Sequence, residues 1–302
     1  MVATASYAVG IDLGATRMKA VAVTPQGQLC TKITGPVASD QPKAWARQVR
    51  ELLAQWESEQ RGPALAVGLC APGLAAPDGR SIACLPERLE GLEGFDWAQW
   101  LGRGQPVPVL NDAHAALLGE AWLGAARGYR NVLLLTLGTG VGGAAIVDGR
   151  LLRGQIGRAG HFGHVCLDPD GPPDICGMPG SLELAVGNCS LRQRSGGRFD
   201  STEGLVAAHL AGDAEATRLW LKAVQALACA IASLINALDP AAVILGGGIA
   251  QAGPALFEPL QQWLDKVEWR PLGHRVPVLP AALGEWAGAF GAAWHALQAQ
   301  NG

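Results

Sequence analysis

Asp112 is the first residue of interest. It follows a short apolar run, 107–110, and stands beside Asn111 at the head of a segment, 113–122, with helical spacing. An Asn-Asp pair at such a junction can cap a helix. It can also aim a carboxylate beyond the carboxyl end of a strand, where ligands gather in α/β folds. There a carboxylate can act as a general base. Asp12 occupies a similar place: an apolar run, 7–11, leads into Asp12-Leu13-Gly14-Ala15-Thr16. A glycine turn after a strand exposes backbone amides that collect phosphate oxygens. Such a turn recurs after the apolar run 133–137, with Gly138, Thr139, Gly140, Gly142 and Gly143. A third cluster, Gly246-Gly247-Gly248, closes the apolar run 243–245 and lets backbone approach a flat ligand such as a nucleotide base.

The elements that must position these residues form a repeated plan. Each of the first two turns joins a strand to a returning strand, 18–23 and 144–147. A second turn then follows, Pro25-Gln26-Gly27 in one copy and Asp148-Gly149 in the other. IDLGAT aligns with LTLGTG, and GQL with GRL. Copies about 125 residues apart indicate two related halves, since repeat arrays have periods of roughly 20 to 50 residues. A phosphate turn in each half suggests a nucleotide gripped from both sides of a cleft. Further strands are expected at 29–33, 64–69, 81–85, 243–245 and 276–279, and the turn Ala71-Pro72-Gly73 follows the second of these. Helices are expected at 42–60, 95–101, 113–122, 203–210, 215–238 and 286–297. In the first, Trp45, Val49, Leu52, Leu53 and Trp56 share one face. The last is rich in Ala and Gly, which suggests close packing. Residues 154–183 form a long loop rich in Gly, Pro, His and Cys, of the kind that carries function. The expected division is a small N-terminal domain, 1–112, joined by helix 286–302, and a larger domain, 113–285.

The 302 residues suffice for two domains with sizeable cores. A hydrophobic content of 49% with 16% charged residues fits a packed globular protein. The net charge of −3, without a Lys/Arg cluster, argues against duplex nucleic acid as a partner. The N-terminal stretch has no basic residue before Arg17 and does not read as a signal peptide. No uninterrupted apolar run approaches membrane-helix length. Seven scattered cysteines suit reduced thiols in a cytoplasmic protein.

Taken together and in order, DLGATRMKA, LNDAHAALLGE, LTLGTGVGGAAIVDG, GRAGHFGH, CGMPGSLE and VILGGGIA resemble the ROK family (repressor, open reading frame, kinase). This family lies within the class of actin-like ATPases and hexokinases. The resemblance implies two actin-like (ribonuclease H-like) α/β domains around a central cleft that binds ATP and a sugar. It implies a sugar kinase with Asp112 as catalytic base. Asn111, His161, His164, Glu183 and Gly73 are implied as sugar contacts. Asp12, Gly14, Thr16 and Lys19, then Gly138, Thr139 and Gly140, are implied as the phosphate motifs, with Asp12 near Mg²⁺. Gly246, Gly247 and Gly248 match the adenosine motif. A homodimer is the family habit. The family's repressors carry a helix-turn-helix ahead of the first phosphate motif, and only eight residues precede Val9. The other reading is a sugar- or nucleotide-binding regulator with little catalysis.

Three departures from the family pattern bear on function. The motif Glu-x-Gly-His is replaced by His161-Phe162-Gly163-His164, and a neutral imidazole has one acceptor nitrogen where a carboxylate has several. The family's zinc motif, Cys-x-Cys-Gly-x-x-Gly-Cys with the motif histidine as fourth ligand, appears as Asp174-Ile175-Cys176-Gly177-Met178-Pro179-Gly180-Ser181. Two of three thiolates are missing, so structural zinc is expected to be absent, with His164, Asp174 and Cys176 as weak candidates. Where the family places an Asn-Leu pair toward the sugar, the alignment offers Arg88-Leu89, which would suit a sugar bearing an acidic group.

Overall fold

The structure is a computed structural model and describes residues 6–38, 41–85 and 89–300, so Arg88 lies outside the described residues. The main strands are β1 (Ala8–Leu13), β2 (Arg17–Val23), β3 (Leu29–Pro36), β4 (Ala66–Ala71), β5 (Val109–Asn111), β6 (Val132–Leu137), β7 (Val141–Val147), β8 (Arg150–Leu151), β9 (Ala242–Gly246) and β10 (Val278–Pro280). The main helices are α1 (Ala44–Glu59), α2 (Asp112–Leu123), α3 (Leu182–Val186), α4 (Thr202–Leu210), α5 (Ala214–Leu238), α6 (Pro254–Val267) and α7 (Ala287–Gln300). The chain divides into two compact units. One comprises Met1–Arg127, Arg153–Ala159 and Ala282–Gly302, and the other Gly128–Leu152 and Gly160–Ala281.

The repeat read from the two glycine hairpins extends to both sheets. The first has strand order β3-β2-β1-β4-β5 and the second β8-β7-β6-β9-β10. In each, the hairpin strands pair antiparallel and the two later strands add in parallel. Asp148 and Gly149 both take positive φ, as the two-residue turn between β7 and β8 requires.

Strand alternation decides what each side chain meets in the first unit. Val9, Ile11 and Leu13 of β1, with Val67, Leu69 and Ala71 of β4, face a core completed by Trp45, Val49, Leu53 and Trp56 of α1. The intervening residues Ala8, Gly10 and Asp12, with Ala66, Gly68 and Cys70, face α7. Alanines of α7 pack there at backbone distance. A Cβ on Gly10 would overlap the carbonyl oxygen of Ala289, and one on Gly68 that of Ala292. The opposite side of α7 meets α2 in the same way, Gly119 lying against the Ala287 carbonyl and Gly291 against that of Ala115. Because α2 packs so tightly on α7, the first unit continues past residue 112 to Arg127.

Glu120 of α2 is fully buried. Its Oε2 accepts the amides of Ala125 and Ala282 at 2.7 and 3.0 Å, and its Oε1 that of Leu283 at 2.8 Å. One carboxylate therefore holds the backbone both where the chain leaves this unit and where it returns.

The second unit is built on α5, whose Leu219, Trp220, Val224, Leu227 and Ile231 are buried against β6 and β9. By length and composition alone this 25-residue helix could cross a membrane, although Arg218 and Lys222 interrupt it. Here it is the core helix of a sheet. The sequence reading missed α6, whose Leu256, Leu260 and Leu264 form a regular buried stripe. Its internal Pro259 and the preceding glycines obscure that signal. The helix expected at 95–101 is a single turn, Trp97–Trp100, ended by Gly102 at positive φ.

Gly291→Ala tests the packing of α7. Overfilling a tight interior typically costs ~1–3 kcal/mol. The urea midpoint should fall by the equivalent of about 2 kcal/mol or more, while Gly104→Ala, in open space, leaves it unchanged.

Candidate active site

In the first unit the charged centre is Asp12, the penultimate residue of β1. Cross-strand register sets Lys19 and Cys70 on either side of it. The Lys19 ammonium lies 3.8 Å from Oδ2. Cys70 is fully buried, and its thiol is raised by burial and by the charges of Asp12 and Asp112, so it stays protonated and donates to Asp12. Gly288, at the start of α7, closes over this pair, since a Cβ there would come within 3.0 Å of Asp12 Oδ2. Burial pushes the Asp12 carboxyl up to about 6. Lys19 opposes the shift and the nearby charge of Asp112 adds to it.

Asn111 ends β5 beside Ala71 and is the N-cap of α2, its Oδ1 accepting the amides of Ala113 and His114 at 2.9 and 3.2 Å. Its Nδ2 donates to the carbonyl of Gly73 at 2.9 Å. Gly73 has φ +96° and abuts the carbonyl of Cys84, a position only glycine fits. The capping role thus belongs to Asn111, and Asp112 follows as the first helical residue, half-buried, with Oδ1 2.8 Å from the Ala113 amide. Buried His114 places Nε2 2.9 Å from the Ala159 carbonyl and so ties segment Arg153–Ala159 to the same unit. Gly14 makes the tight turn after β1, its amide bonding to the Arg17 carbonyl at 3.0 Å, and Thr16 is exposed at its tip.

In the second unit β6 and β9 run parallel, and both glycine clusters lie at their carboxyl ends. Gly247, at φ +85°, packs its backbone on the carbonyl of Leu137, which brings 246–248 against the turn 138–140. That turn is braced by the segment from Glu183 to Cys189. The Val141 amide donates to Glu183 Oε2 at 2.9 Å, the Asn188 amide to the Gly138 carbonyl at 3.0 Å, and the Cys189 amide to the Thr139 carbonyl at 2.8 Å. A Cβ on Gly140 would collide with the Glu183 carboxylate. His161 precedes and His164 ends a short 3₁₀ turn, Phe162–His164, and its Gly163 lies against the Val141 carbonyl. His164 Nδ1 lies 2.7 Å from Asp174 Oδ2, and Cys176 Sγ lies 3.5 Å from His164 Nε2. Burial raises the Asp174 carboxyl, but hydrogen bonds from His164, Ser181 and the amides of Met178 and Cys176 outweigh it and hold the group below the usual carboxylate range.

Asp12, Gly14, Thr16, Lys19, Gly73, Asn111 and Asp112 therefore lie on one unit. The remaining singled-out residues lie on the other. Sequence reasoning gave no role to Glu120, although a lone acid in the apolar stretch AALLGEAWL signals a buried carboxylate with partners. It also passed over Cys70, which only the sheet register sets beside Asp12.

The ROK family model matches residues 8–299. The chain belongs to the ROK family. Among its relatives in that family, the glucokinase of Thermotoga maritima is 31% identical over 94% of this chain and 95% of its own length. An N-acetylmannosamine kinase of Vibrio cholerae is 32% identical over 90% of this chain and 92% of its own length. A ROK glucokinase from Streptomyces griseus, solved with glucose and AMPPNP, is 28% identical, covers 97% of this chain and 100% of its own, and superposes with a TM-score of 0.79. The fold of this ROK protein is accordingly the actin-like α/β fold.

Asp12 sets a pH dependence for the ligand-free ROK protein. A carboxyl raised on folding favours the fold while protonated, so the stabilisation is complete below the unfolded pKa of 3.8 and is lost as pH rises through about 6. Asp12→Asn removes that loss. Urea unfolding without Mg²⁺ or nucleotide should show the variant equal to wild type near pH 4 and more stable above pH 6. The gain is at most about 3 kcal/mol, less whatever Lys19 loses with its partner.

Proposed function

We propose that this ROK protein is an ATP-dependent sugar kinase that transfers the γ-phosphoryl group of MgATP to a hydroxyl of a hexose. The observation that carries the reading is the carboxylate pair of the first unit. Asp112 follows the carboxyl end of parallel strand β5, Asp12 stands at that of β1, and the charge of one bears on the other. The relatives support it: a glucokinase, an N-acetylmannosamine kinase and a glucokinase that binds glucose with an ATP analogue.

In this reading Asp112 accepts the proton of the sugar hydroxyl as its oxygen attacks phosphorus. Asn111 sets the start of α2 and hence the aim of Asp112. The turns 12–16 and 138–140 hold phosphates with backbone amides, and Gly246, Gly247 and Gly248 receive the adenosine. A desolvated carboxylate with a second one nearby is a donor set that suits a hard divalent cation, so Asp12 would hold Mg²⁺. When bound, Mg²⁺ offsets the charge of the transferring group. Gly73, Asn111, His161, His164 and Glu183 contact the sugar, and Glu183 also braces the phosphate turn through Val141. His161 in place of a carboxylate offers fewer acceptors to sugar hydroxyls, which favours a substrate other than plain glucose. The reading extends to a cytoplasmic homodimer without nucleic-acid or membrane partners.

A coupled ADP-release assay with MgATP tests it. The panel is glucose, mannose, fructose, allose, N-acetylmannosamine, N-acetylglucosamine and several sugar acids. One sugar should turn over, and Asp112→Asn should lower kcat by ~10²- to 10⁴-fold with ATP binding intact by calorimetry. Silence across the panel with ATP still bound favours the regulator, and an unchanged kcat in the variant removes Asp112 as base. Glu183→Ala, which strips the acceptor from the Val141 amide, should raise the KM for ATP several-fold as well as that for the sugar.

A further inference from the structure

Four positions of the loop between β8 and α3 converge: His164, Asp174, Cys176 and Ser181. One ligand atom from each of His164, Asp174 and Cys176 lies within 4.8 Å of the others, so a metal is the first occupant to consider. The chemistry of the donor set argues against it. A carboxylate has about four lone-pair sites, and those of Asp174 are taken. Oδ1 accepts the amides of Cys176 and Met178 at 2.8 and 3.0 Å. Oδ2 meets His164 Nδ1 at 2.7 Å, and the Ser181 hydroxyl also bonds the carboxylate. The Asp174 side chain has no exposed surface, and Ser181 is fully buried. A cation would be left with Nε2 of His164 and Sγ of Cys176, and structural zinc takes four ligands. The backbone agrees with an organic centre. The Asp174 amide bonds to the Met178 carbonyl and the Gly177 amide to the Asp174 carbonyl, so residues 174–178 wrap a closed turn around the acid.

We propose that Asp174 stands in for a metal: the loop from His164 to Ser181 is closed around a buried carboxylate, and the folded protein carries no zinc. Where a cation would gather thiolates and an imidazole by drawing on their lone pairs, this anion gathers donors. Two amides, a hydroxyl and the imidazole Nδ1–H point inward at it. The replacements Asp174 and Ser181 in the zinc motif then form one exchange, because the hydroxyl at 181 donates to the acid at 174. His164 remains fixed through Nδ1 without a metal. The inference concerns the loop alone and stands apart from the kinase reading.

The test is elemental analysis of full-length protein produced in zinc-supplemented medium, paired with thermal unfolding with and without a zinc-selective chelator. Wild type should carry far less than one zinc per chain and show the same Tm in both conditions. About one zinc per chain, or a Tm lowered by the chelator, overturns the proposal. The double variant Asp174→Cys/Ser181→Cys should gain about one zinc per chain and a chelator-sensitive Tm, since its thiolates join His164 and Cys176 in a four-ligand set. If that variant folds and takes up no zinc, the four positions do not converge as described. Asp174→Ala should lower Tm by several degrees with no recovery on adding zinc, and recovery with zinc counts against the proposal. Metal content of the wild type decides the matter even if a variant does not fold.

Discussion

The first unit depends on the absence of side chains where α7 meets its neighbours. Gly10 and Gly68 on the sheet, Gly119 on α2 and Gly291 on α7 let backbone rest on backbone. Helix–sheet and helix–helix spacing are thereby set by atoms that have no rotamers. Asp12 is placed by the same constraint. It shares the α7 face of β1 with Ala8 and Gly10, and Gly288 leaves just enough room for its carboxylate beside Cys70. The relation between Asp12 and Asp112 follows, because α2 and β1 are both seated on one helix.

Within this frame, acids do much of the organising. Among the described residues, Glu120, Glu183 and Asp174 each accept at least one backbone amide and none of them pairs with a lysine or arginine. For Asp174, burial pushes the carboxyl up, but the hydrogen bonds from His164, Ser181 and two amides outweigh it and hold the group low. Each acid fixes a loop that strand pairing does not reach. The two halves differ in this respect at one telling position. The residue equivalent to Asp12 in the second hairpin is Thr136, so the repeated turn has an acid in one unit and a neutral hydroxyl in the other.

Both glycine hairpins, the apolar runs that become β1 and β4, the buried face of α1 and the small-residue packing of α7 were legible in the sequence. Each depends on short-range spacing or on residue size. The order of the sheets was legible only as a repeat, because parallel pairing joins residues far apart in the chain. What escaped was of two kinds. Helix α6 hid behind Pro254 and Pro259, which read as breaks although the first sits at a helix start, where its missing amide costs nothing. The work of Glu120, and part of that of Asp174, hid because the partners are backbone amides, which leave no mark on residue type. The same holds for Asn111. Its type was compatible with a cap or a ligand contact, and only the geometry assigns it the cap.

The discontinuity of the first unit has a consequence during synthesis. Glu120 leaves the ribosome 162 residues ahead of Ala282, whose amide it will accept. At ordinary elongation speeds that interval lasts roughly ten to thirty seconds. Throughout it, the face of β1 and β4 that α7 will cover stands open in the nascent polypeptide, lined by alanine and glycine beside Asp12 and Cys70, with few bulky apolar groups to attract a wrong partner. The second unit, nearly continuous in the chain, has all its strands in hand before α7 is made. The small residues that permit backbone contact in the finished protein thus also keep the waiting surface weakly adhesive, and the order of translation makes α7 the piece that completes the older half.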